Sequence, residues 1–127
     1  GATAAFEMVV QAFAEGDLET LRSLLNDEVY DNFSAAVREF EEGDEKLETT
    51  VISIKTADVL EAKVEERMAF VTVKFQSEQV NVTRDKNGEV IDGDPNRVTD
   101  ITDIWTFARN TRARDPNWTL VETRSSN

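Results

Sequence analysis

The hydrophobic pattern of this 127-residue chain changes its period at Gly43, and the change determines the fold class. Before Gly43, apolar residues recur about every 3.6 positions, which is typical of helices that pack one face against a core. The pattern predicts helices over residues 3–14, over residues 18–26 with Asp17 as N-cap, and from Asp27 to Gly43. After Gly43 the period is about two, which predicts strands. Three helices followed by strands indicate an α+β domain with the helices on one face of a sheet.

Four antiparallel strands are predicted after the helices. The first covers residues 49–64 and is expected to bend at residues 56–59, where polar residues interrupt its apolar face. The second strand changes its apolar parity at Val80, which predicts a bulge or twist near residues 77–79. Asn87-Gly88 then predicts a tight reversal, because this pair favours the positive backbone angles of short turns.

The last two predicted strands form the most regular hairpin of the sequence. Residues 99–109 alternate β-branched or aromatic side chains with polar ones, Asp115-Pro116-Asn117 supplies turn residues, and residues 118–123 form the return strand. A two-stranded ribbon is only marginally stable alone, so this hairpin is expected to be the floor on which the helices pack. A strongly curved sheet of this kind leaves a cone-shaped pocket between its concave side and the helices, which is a usual location for a ligand.

Seven residues are predicted to line this pocket. Four share one face of the strand at residues 99–109, and three lie on the apolar stripe of the third helix. They are Ile101, Asp103, Trp105 and Phe107 from the strand and Tyr30, Phe33 and Val37 from the helix. The spacing of the helix residues is also typical of side chains that only fill a core, so a packing role is the alternative.

Asp103 is the one carboxylate on the bulky face of its strand, and two interpretations of it remain open. In a small cone-fold enzyme, desolvation beside Trp105 would raise its pKa and make it a general base, with Tyr30 donating a hydrogen bond to a developing oxyanion. In a structural domain, Asp103 pairs with Arg109, Arg97 or another cation, or caps backbone groups at a bulge. An enzyme needs Asp103 and a second polar group to converge on an open pocket.

Composition removes several classes of chemistry. The chain has no cysteine and no histidine, which excludes thiol nucleophiles, histidine triads and zinc sites built from these ligands. Its 26 acidic and 14 basic side chains give a formal charge of −12, which disfavours nucleic acid as a partner. We predict no cofactor and no metal, because Asp92, Asp94 and Asn96 lack the spacing and the terminal glutamate of a known calcium loop. The carboxylates at residues 39–42 are interpreted as solvated surface.

The chain is predicted to be a single domain over residues 1–127. No apolar run approaches the roughly 20 residues of a membrane-spanning helix, and the start lacks the basic flank and cleavage site of a signal peptide. Because the helical pattern is already under way at residue 1, the first helix is expected to be cut short, which would leave Phe6 and Val9 partly exposed. A homodimer that covers these side chains is therefore among the expected assemblies.

Several short strings of this sequence together resemble a known domain family. The strings are Ala5-Phe6-Glu7-Met8-Val9-Val10, Ala12-Phe13-Ala14-Glu15-Gly16-Asp17, Leu24-Leu25-Asn26-Asp27-Glu28-Val29-Tyr30, Thr83-Arg84-Asp85, Asp92-Gly93-Asp94-Pro95, Trp105-Thr106-Phe107-Ala108-Arg109 and Asp115-Pro116-Asn117-Trp118. In this order and at these spacings, they resemble the C-terminal domain of subunit 44 of the mitochondrial inner-membrane translocase and its bacterial relatives. The resemblance covers nearly the whole chain.

The resemblance implies a nuclear transport factor 2-like cone and a non-enzymatic, membrane-associated docking or scaffolding domain. Mitochondrial relatives lie on the matrix face of the inner membrane, bind cardiolipin-containing membrane and help to anchor the import chaperone at the presequence translocase. Bacterial relatives look like inner-membrane-associated proteins, and the charge of −12 fits a bacterial member better. The implied partners are an inner-membrane lipid or membrane protein and a chaperone, and the pocket would take a lipid or a peptide segment. The family's amphipathic membrane-binding segment lies upstream of this core, so weak binding to anionic vesicles is expected.

Overall fold

The computed structural model describes residues 1–115 and 117–125 and has the predicted order of three helices followed by strands. The helices are α1 (Ala2–Glu15), α2 (Leu18–Leu24) and α3 (Asp27–Glu42). The strands are β1 (Lys46–Glu65), β2 (Met68–Arg84), β3 (Val90–Gly93), β4 (Thr99–Asn110) and β5 (Thr119–Ser125). Neighbouring strands are antiparallel in the order β1-β2-β4-β5, with β3 beside β2. The predicted α+β class is confirmed.

Three of the helix ends in the described chain lie at residues whose chemistry suits those positions. α1 stops at Gly16, whose φ of 70° is the left-handed conformation that glycine adopts without steric cost. The side chain of Asp17 caps α2, and the Asn26 side chain caps α3 by accepting a hydrogen bond from the Val29 amide at 2.9 Å. The backbone amide of Asn26 also donates to the Leu120 carbonyl at 3.0 Å, so the start of α3 is tied to β5.

Asn26→Ala is expected to lower the free energy of unfolding by about 1 kcal/mol, because the Val29 amide loses its partner at the first turn of α3. Urea unfolding followed by circular dichroism measures the change. Gln11→Ala, at an exposed position of α1, is the matched control and should change stability by less than about 0.5 kcal/mol. Equal stability of the two variants would show that the cap contributes nothing.

The pairing of β1 with β2 is interrupted three times along its length. Register shifts lie between Val51 and Ser53, between Ile54 and Thr56, and between Val59 and Glu61. Each shift adds a residue to β1, which bends the strand, and two of the shifts flank the kink predicted at residues 56–59. Side-chain hydrogen bonds join each of the first three of the resulting segments of β1 to β2. They include Thr49 to Asn81 at 2.7 Å, Ser53 to Glu78 at 2.7 Å and Thr56 to Gln76 at 2.9 Å.

The bulge or twist predicted near residues 77–79 of β2 corresponds to two register shifts in the pairing with β1, but the extra residues lie in β1 and not in β2. β2 pairs with β4 over residues 68–79 without any register shift. Ser77 and Gln79 lie on the same inner face as Phe75 and are likewise buried. The inner face of β2 therefore changes from apolar to polar without an extra residue in β2 itself, because its buried polar groups hydrogen-bond one another.

In the described part of the chain the sheet has five strands, one more than predicted. The additional strand is β3, which follows the expected reversal at Asn87-Gly88 and pairs with β2. All of its residues are exposed, so no alternation between a buried and an exposed face marks it in the sequence. In the loop of the last hairpin, the Asn117 amide donates to the Asp115 carboxylate at 2.9 Å, whereas Pro116 lies outside the described residues.

The hydrophobic core lies between the helices and the inner face of the sheet, and the apolar stripe of α1 is packed into it. The exposed fractions of Phe6 and Val9 are 0% and 1%, so the expectation that these side chains are partly exposed was wrong. They are covered by the sheet, because the apolar stripe of α1 faces the strands directly. Other buried members of the core are Leu21, Val29, Val37, Val73, Phe75, Trp105, Phe107 and Leu120.

Candidate functional site

Two of the predicted pocket residues on β4, Trp105 and Phe107, are part of the packed core. The centre of the Phe6 ring lies 4.5 Å from that of Phe75 and 4.7 Å from that of Trp105. These separations are those of rings in direct contact, so α1 fills the space above this part of the sheet. Ile101, further towards the start of β4, is half-buried. Ligand binding by these residues stays a prediction.

The three predicted residues of α3 have different neighbours. The guanidinium carbon of Arg22 lies 4.9 Å from the centre of the Tyr30 ring. The Phe33 ring packs edge-on against Phe13 at 5.4 Å, and Val37 is buried in the core. The stripe thus serves core packing for at least part of its length, as the alternative interpretation expected.

Asp103 lies on the inner face of β4, opposite Phe75 on β2 and two positions from Trp105. Burial raises the pKa of its carboxyl group to about 6, because the charged form loses solvation beside these rings. Within residues 1–115 and 117–125, this carboxylate has no ion pair and no side-chain hydrogen bond. When desolvation raises the pKa of a carboxyl group and no cation or hydrogen-bond donor stabilises its charged form, the group lowers the free energy of unfolding at neutral pH.

The expected pairing of Asp103 with Arg109 or Arg97 does not form. Arg109 is six residues further along the same strand, roughly 20 Å away at the rise of an extended chain. Its Nε atom is buried and has no hydrogen-bond partner in the described part of the chain. Arg97 precedes β4, in a turn where its amide donates to the Asp94 carbonyl at 3.1 Å. Among the described residues, Tyr30 is not hydrogen-bonded to Asp103 either, so the structure does not join the two groups that the enzyme interpretation requires.

A row of polar side chains that the sequence analysis did not single out runs along β2 and reaches β1. Gln79 Nε2 donates to Ser77 Oγ at 2.9 Å, and Asn81 Nδ2 donates to Gln79 Oε1 at 3.1 Å. Thr49 Oγ1 donates to Asn81 Oδ1 at 2.7 Å and completes the row. The only sequence signal was a set of polar residues at alternate positions of a strand. Because these groups satisfy one another, the row has a structural role.

A cleft of about 720 Å³ opens where α1 and α3 end and β1 begins. Its apolar floor contains Phe13 and Phe40, whose ring centres are 6.3 Å apart, together with Val37. We call this site the end cleft; it is lined by Phe13, Ala14, Glu15, Gly16, Val37, Phe40, Glu41, Asp44, Glu45, Lys46, Leu47, Glu48 and Lys86. Val37 is the member that it shares with the predicted pocket.

The mouth of the end cleft is negatively charged. Five of its lining side chains are carboxylates and two are lysines. Glu48 is paired with Arg84 at 2.8 Å, whereas the other four carboxylates form no ion pair with any described residue. The dipoles of α1 and α3 place partial negative charge at their C-terminal ends. Neither helix has a basic residue in its last turn that would neutralise this charge. The end cleft is therefore suited to a ligand that combines apolar and cationic groups.

The described residues provide neither a cluster of metal ligands nor a membrane-spanning helix. They contain no group of three or more histidine, cysteine, aspartate or glutamate side chains placed to hold a metal ion. The Asp94 carboxylate instead accepts a hydrogen bond from the Asn96 amide at 2.8 Å and stabilises the turn before β4. None of the described helices has both the length and the apolar character needed to cross a bilayer.

A sequence model of the Tim44-like domain matches residues 1–125. The chain belongs to the Tim44-like domain family. Among curated relatives, the probable mitochondrial import inner membrane translocase subunit tin-44 of Caenorhabditis elegans is 28% identical over 117 residues, which are 90% of this chain and 28% of that protein. The mitochondrial import inner membrane translocase subunit TIM44 of Rattus norvegicus is 23% identical over 120 residues, which are 93% of this chain and 26% of that protein. The Tim44-like chain thus spans about a quarter of the length of these relatives.

The Tim44-like chain also shares its fold with a solved structure. The intermembrane space region of chloroplast protein ARC6 superposes with a TM-score of 0.64 and 12% sequence identity, over 98% of this chain and 92% of that one. At this identity the likeness concerns the fold alone. The predicted nuclear transport factor 2-like cone, with helices packed on a curved antiparallel sheet, is confirmed.

Proposed function

We propose that this Tim44-like chain is a non-enzymatic docking domain at an inner membrane, and that its end cleft receives a cationic peptide segment of a partner. The observation that carries the proposal is the acidic mouth above an apolar floor. The kinship with translocase subunits supports a docking role. An inner-membrane protein or the import chaperone would supply the segment, on the matrix face in mitochondria or on the bacterial inner membrane.

Charge favours a peptide over a lipid, the two ligand classes expected from the sequence. An anionic lipid headgroup would meet the carboxylates of the mouth and the negative ends of two helices, within a chain of net charge −12. A basic amphipathic helix offers apolar side chains for Phe13 and Phe40, and it offers lysine or arginine for Glu41 and Glu45. A cleft of this size accepts a few side chains, so one or two turns of such a helix would be held.

The test is the binding of a fluorescein-labelled, lysine- and arginine-rich amphipathic peptide, measured by fluorescence anisotropy at several salt concentrations. Glu41→Lys/Glu45→Lys is expected to weaken binding about fivefold and to reduce its salt dependence, because two carboxylates of the mouth are reversed. A peptide with glutamate at the basic positions should not bind.

The control variant is Glu7→Lys/Glu19→Lys, which makes the same change in net charge at exposed positions outside the end cleft. It should bind the basic peptide more tightly than the cleft variant does. If both variants bound the basic peptide equally weakly, the net charge of the chain would explain the loss of affinity, and the end cleft would not be the binding site. Vesicles containing cardiolipin should bind weakly; tight vesicle binding that the cleft variant alters would favour the lipid alternative.

A general-base role for Asp103 is the second candidate, and the raised pKa of an unpaired carboxylate favours it. It has less support than docking for two reasons. Asp103 is not among the lining residues of the end cleft, and Tyr30 lies beside Arg22 without a hydrogen bond to Asp103 among the described residues.

A further inference from the structure

The far half of β1 is an unpaired sheet edge with exposed apolar side chains. β1 is the outermost strand of the sheet, and every residue from 57 to 64 is exposed. Val59 and Val64 are 63% and 66% exposed, although valine is normally among the most buried residues. We call residues 57–64 the distal edge. Its free backbone amide and carbonyl groups can accept another strand.

Cross-strand partners on β2 show which side chains of the distal edge share a face. Ala57, Val59, Ala62 and Val64 lie opposite Phe75, Val73, Val71 and Ala69, so they belong to the inner face. Asp58 and Lys63 lie opposite Lys74 and Phe70, so they belong to the outer face. The distal edge therefore has an apolar inner face and a charged outer face.

We propose that two copies of the chain pair antiparallel through their distal edges, with Asp58 of each copy opposite Lys63 of the other. In this register Val59 lies opposite Ala62, and Ala57 lies opposite Val64. These inner side chains thus meet inner ones, and Asp58 and Lys63 meet on the outer face, as a continuous sheet requires. Leu60, the extra residue at the register shift, lies opposite Glu61. The two-fold symmetry creates the Asp58–Lys63 pair twice.

The charges of the distal edge select this register over its neighbours. A shift of two residues in one direction places Asp58 opposite Glu61, and a shift in the other direction places it opposite Glu65. Both shifts put like charges directly across the new strand pair, which is destabilising. A shift of one residue would set inner side chains against outer ones. The sequence is thus complementary to itself in one alignment.

The pairing is compatible with the remainder of the chain. The end cleft contacts β1 at residues 46–48, roughly 30 Å from the distal edge at the rise of a strand, so both sites can be used together. The net charge of −12 on each copy opposes association over long distances. At about 0.15 M salt, screening beyond about 8 Å removes most of this repulsion, whereas directly opposed side chains still interact.

Sedimentation equilibrium between about 10 µM and about 1 mM in such a buffer should show a weak dimer, because strand pairing alone buries a small area. Asp58→Lys and Lys63→Asp should each weaken the dimer at least tenfold, because each places like charges opposite. Asp58→Lys/Lys63→Asp should restore it. Glu7→Lys on α1, which changes the net charge by the same amount as Asp58→Lys, is the control and should dimerise as the unchanged chain does.

An equimolar mixture of Asp58→Lys and Lys63→Asp provides the sharpest result. Each variant alone should be monomeric, and the mixture should form heterodimers, because both contacts between unlike copies then join opposite charges. A change in folding of either variant cannot produce this rescue. The proposal would be overturned by a monomeric unchanged chain at about 1 mM, by single variants that dimerise normally, or by a mixture that stays monomeric.

Discussion

Phe6→Ala is expected to lower the free energy of unfolding by about 3–5 kcal/mol, the largest effect of any single change considered for this chain. The Phe6 side chain is fully buried and its ring contacts Phe75 and Trp105, so truncation leaves a cavity between α1 and the sheet. Because domains of this size have only about 5–15 kcal/mol of stability, the variant should be partly unfolded under mild conditions. Urea denaturation followed by tryptophan fluorescence measures the loss.

Met8→Ala is the matched control for Phe6→Ala. Met8 lies on the same helix but is 51% exposed, so its truncation should change stability by less than about 0.5 kcal/mol. A similar small effect for both variants would show that α1 does not pack against the sheet as described.

Asp103→Asn is expected to stabilise the folded chain at neutral pH. The carboxyl group has a pKa of about 6 when folded, against its ordinary value of 3.8, because burial disfavours its charged form. Below pH 3.8 the group is protonated in both states and costs nothing. Between pH 3.8 and about 6 the unfolded state has lost its proton while the folded state keeps it, so stability falls as pH rises. Above about pH 6 the folded state contains a buried, unpaired charge.

The gain expected for Asp103→Asn near pH 7.5 is about 1–2 kcal/mol. The full shift corresponds to about 3 kcal/mol, and the partial exposure of the group to water reduces this value. Urea unfolding of both proteins at about pH 4, 5, 6 and 7.5 should show a gap that opens with rising pH. Asp92→Asn, at an exposed carboxylate of β3, should show no such gap.

A variant less stable than the unchanged chain at pH 7.5 would mean that Asp103 has a stabilising partner, contrary to its observed surroundings. The increase in stability of Asp103→Asn does not by itself identify an enzyme, because replacing any buried carboxylate without a partner would increase stability. Catalysis would additionally need a ligand whose affinity depends on pH around 6 and is lost in the Asn variant.

The order and ends of the helices could be predicted from sequence, because their signals are local. Gly16, Asp17, Asn26 and Gly43 act within one turn of themselves, so their chemistry is readable without the fold. The same holds for the alternation along β4. By contrast, β3 could not be recognised, because it consists of four exposed residues and has no buried face.

The end cleft could not be predicted, because its residues come from ends of elements that are far apart in the chain. Glu41 was interpreted as solvated surface, and only the fold brings it to one opening with Glu15 and Glu45. The surroundings of Asp103 were only half predictable. Its desolvation beside Trp105 follows from alternation along the strand, but the absence of a cation depends on the positions of distant side chains.

The three interruptions in β1 have a consequence for folding as well as for shape. A strand of twenty residues with extra residues at three points could align with β2 in several competing ways, each retaining most backbone hydrogen bonds. The cross-strand bonds at Thr49, Ser53 and Thr56 lie in the first three segments of β1, so a slip of any of these three segments breaks its own bond and leaves polar groups unsatisfied. Each misaligned segment thus raises the energy of the sheet. The native register is therefore favoured during folding in spite of the irregular backbone.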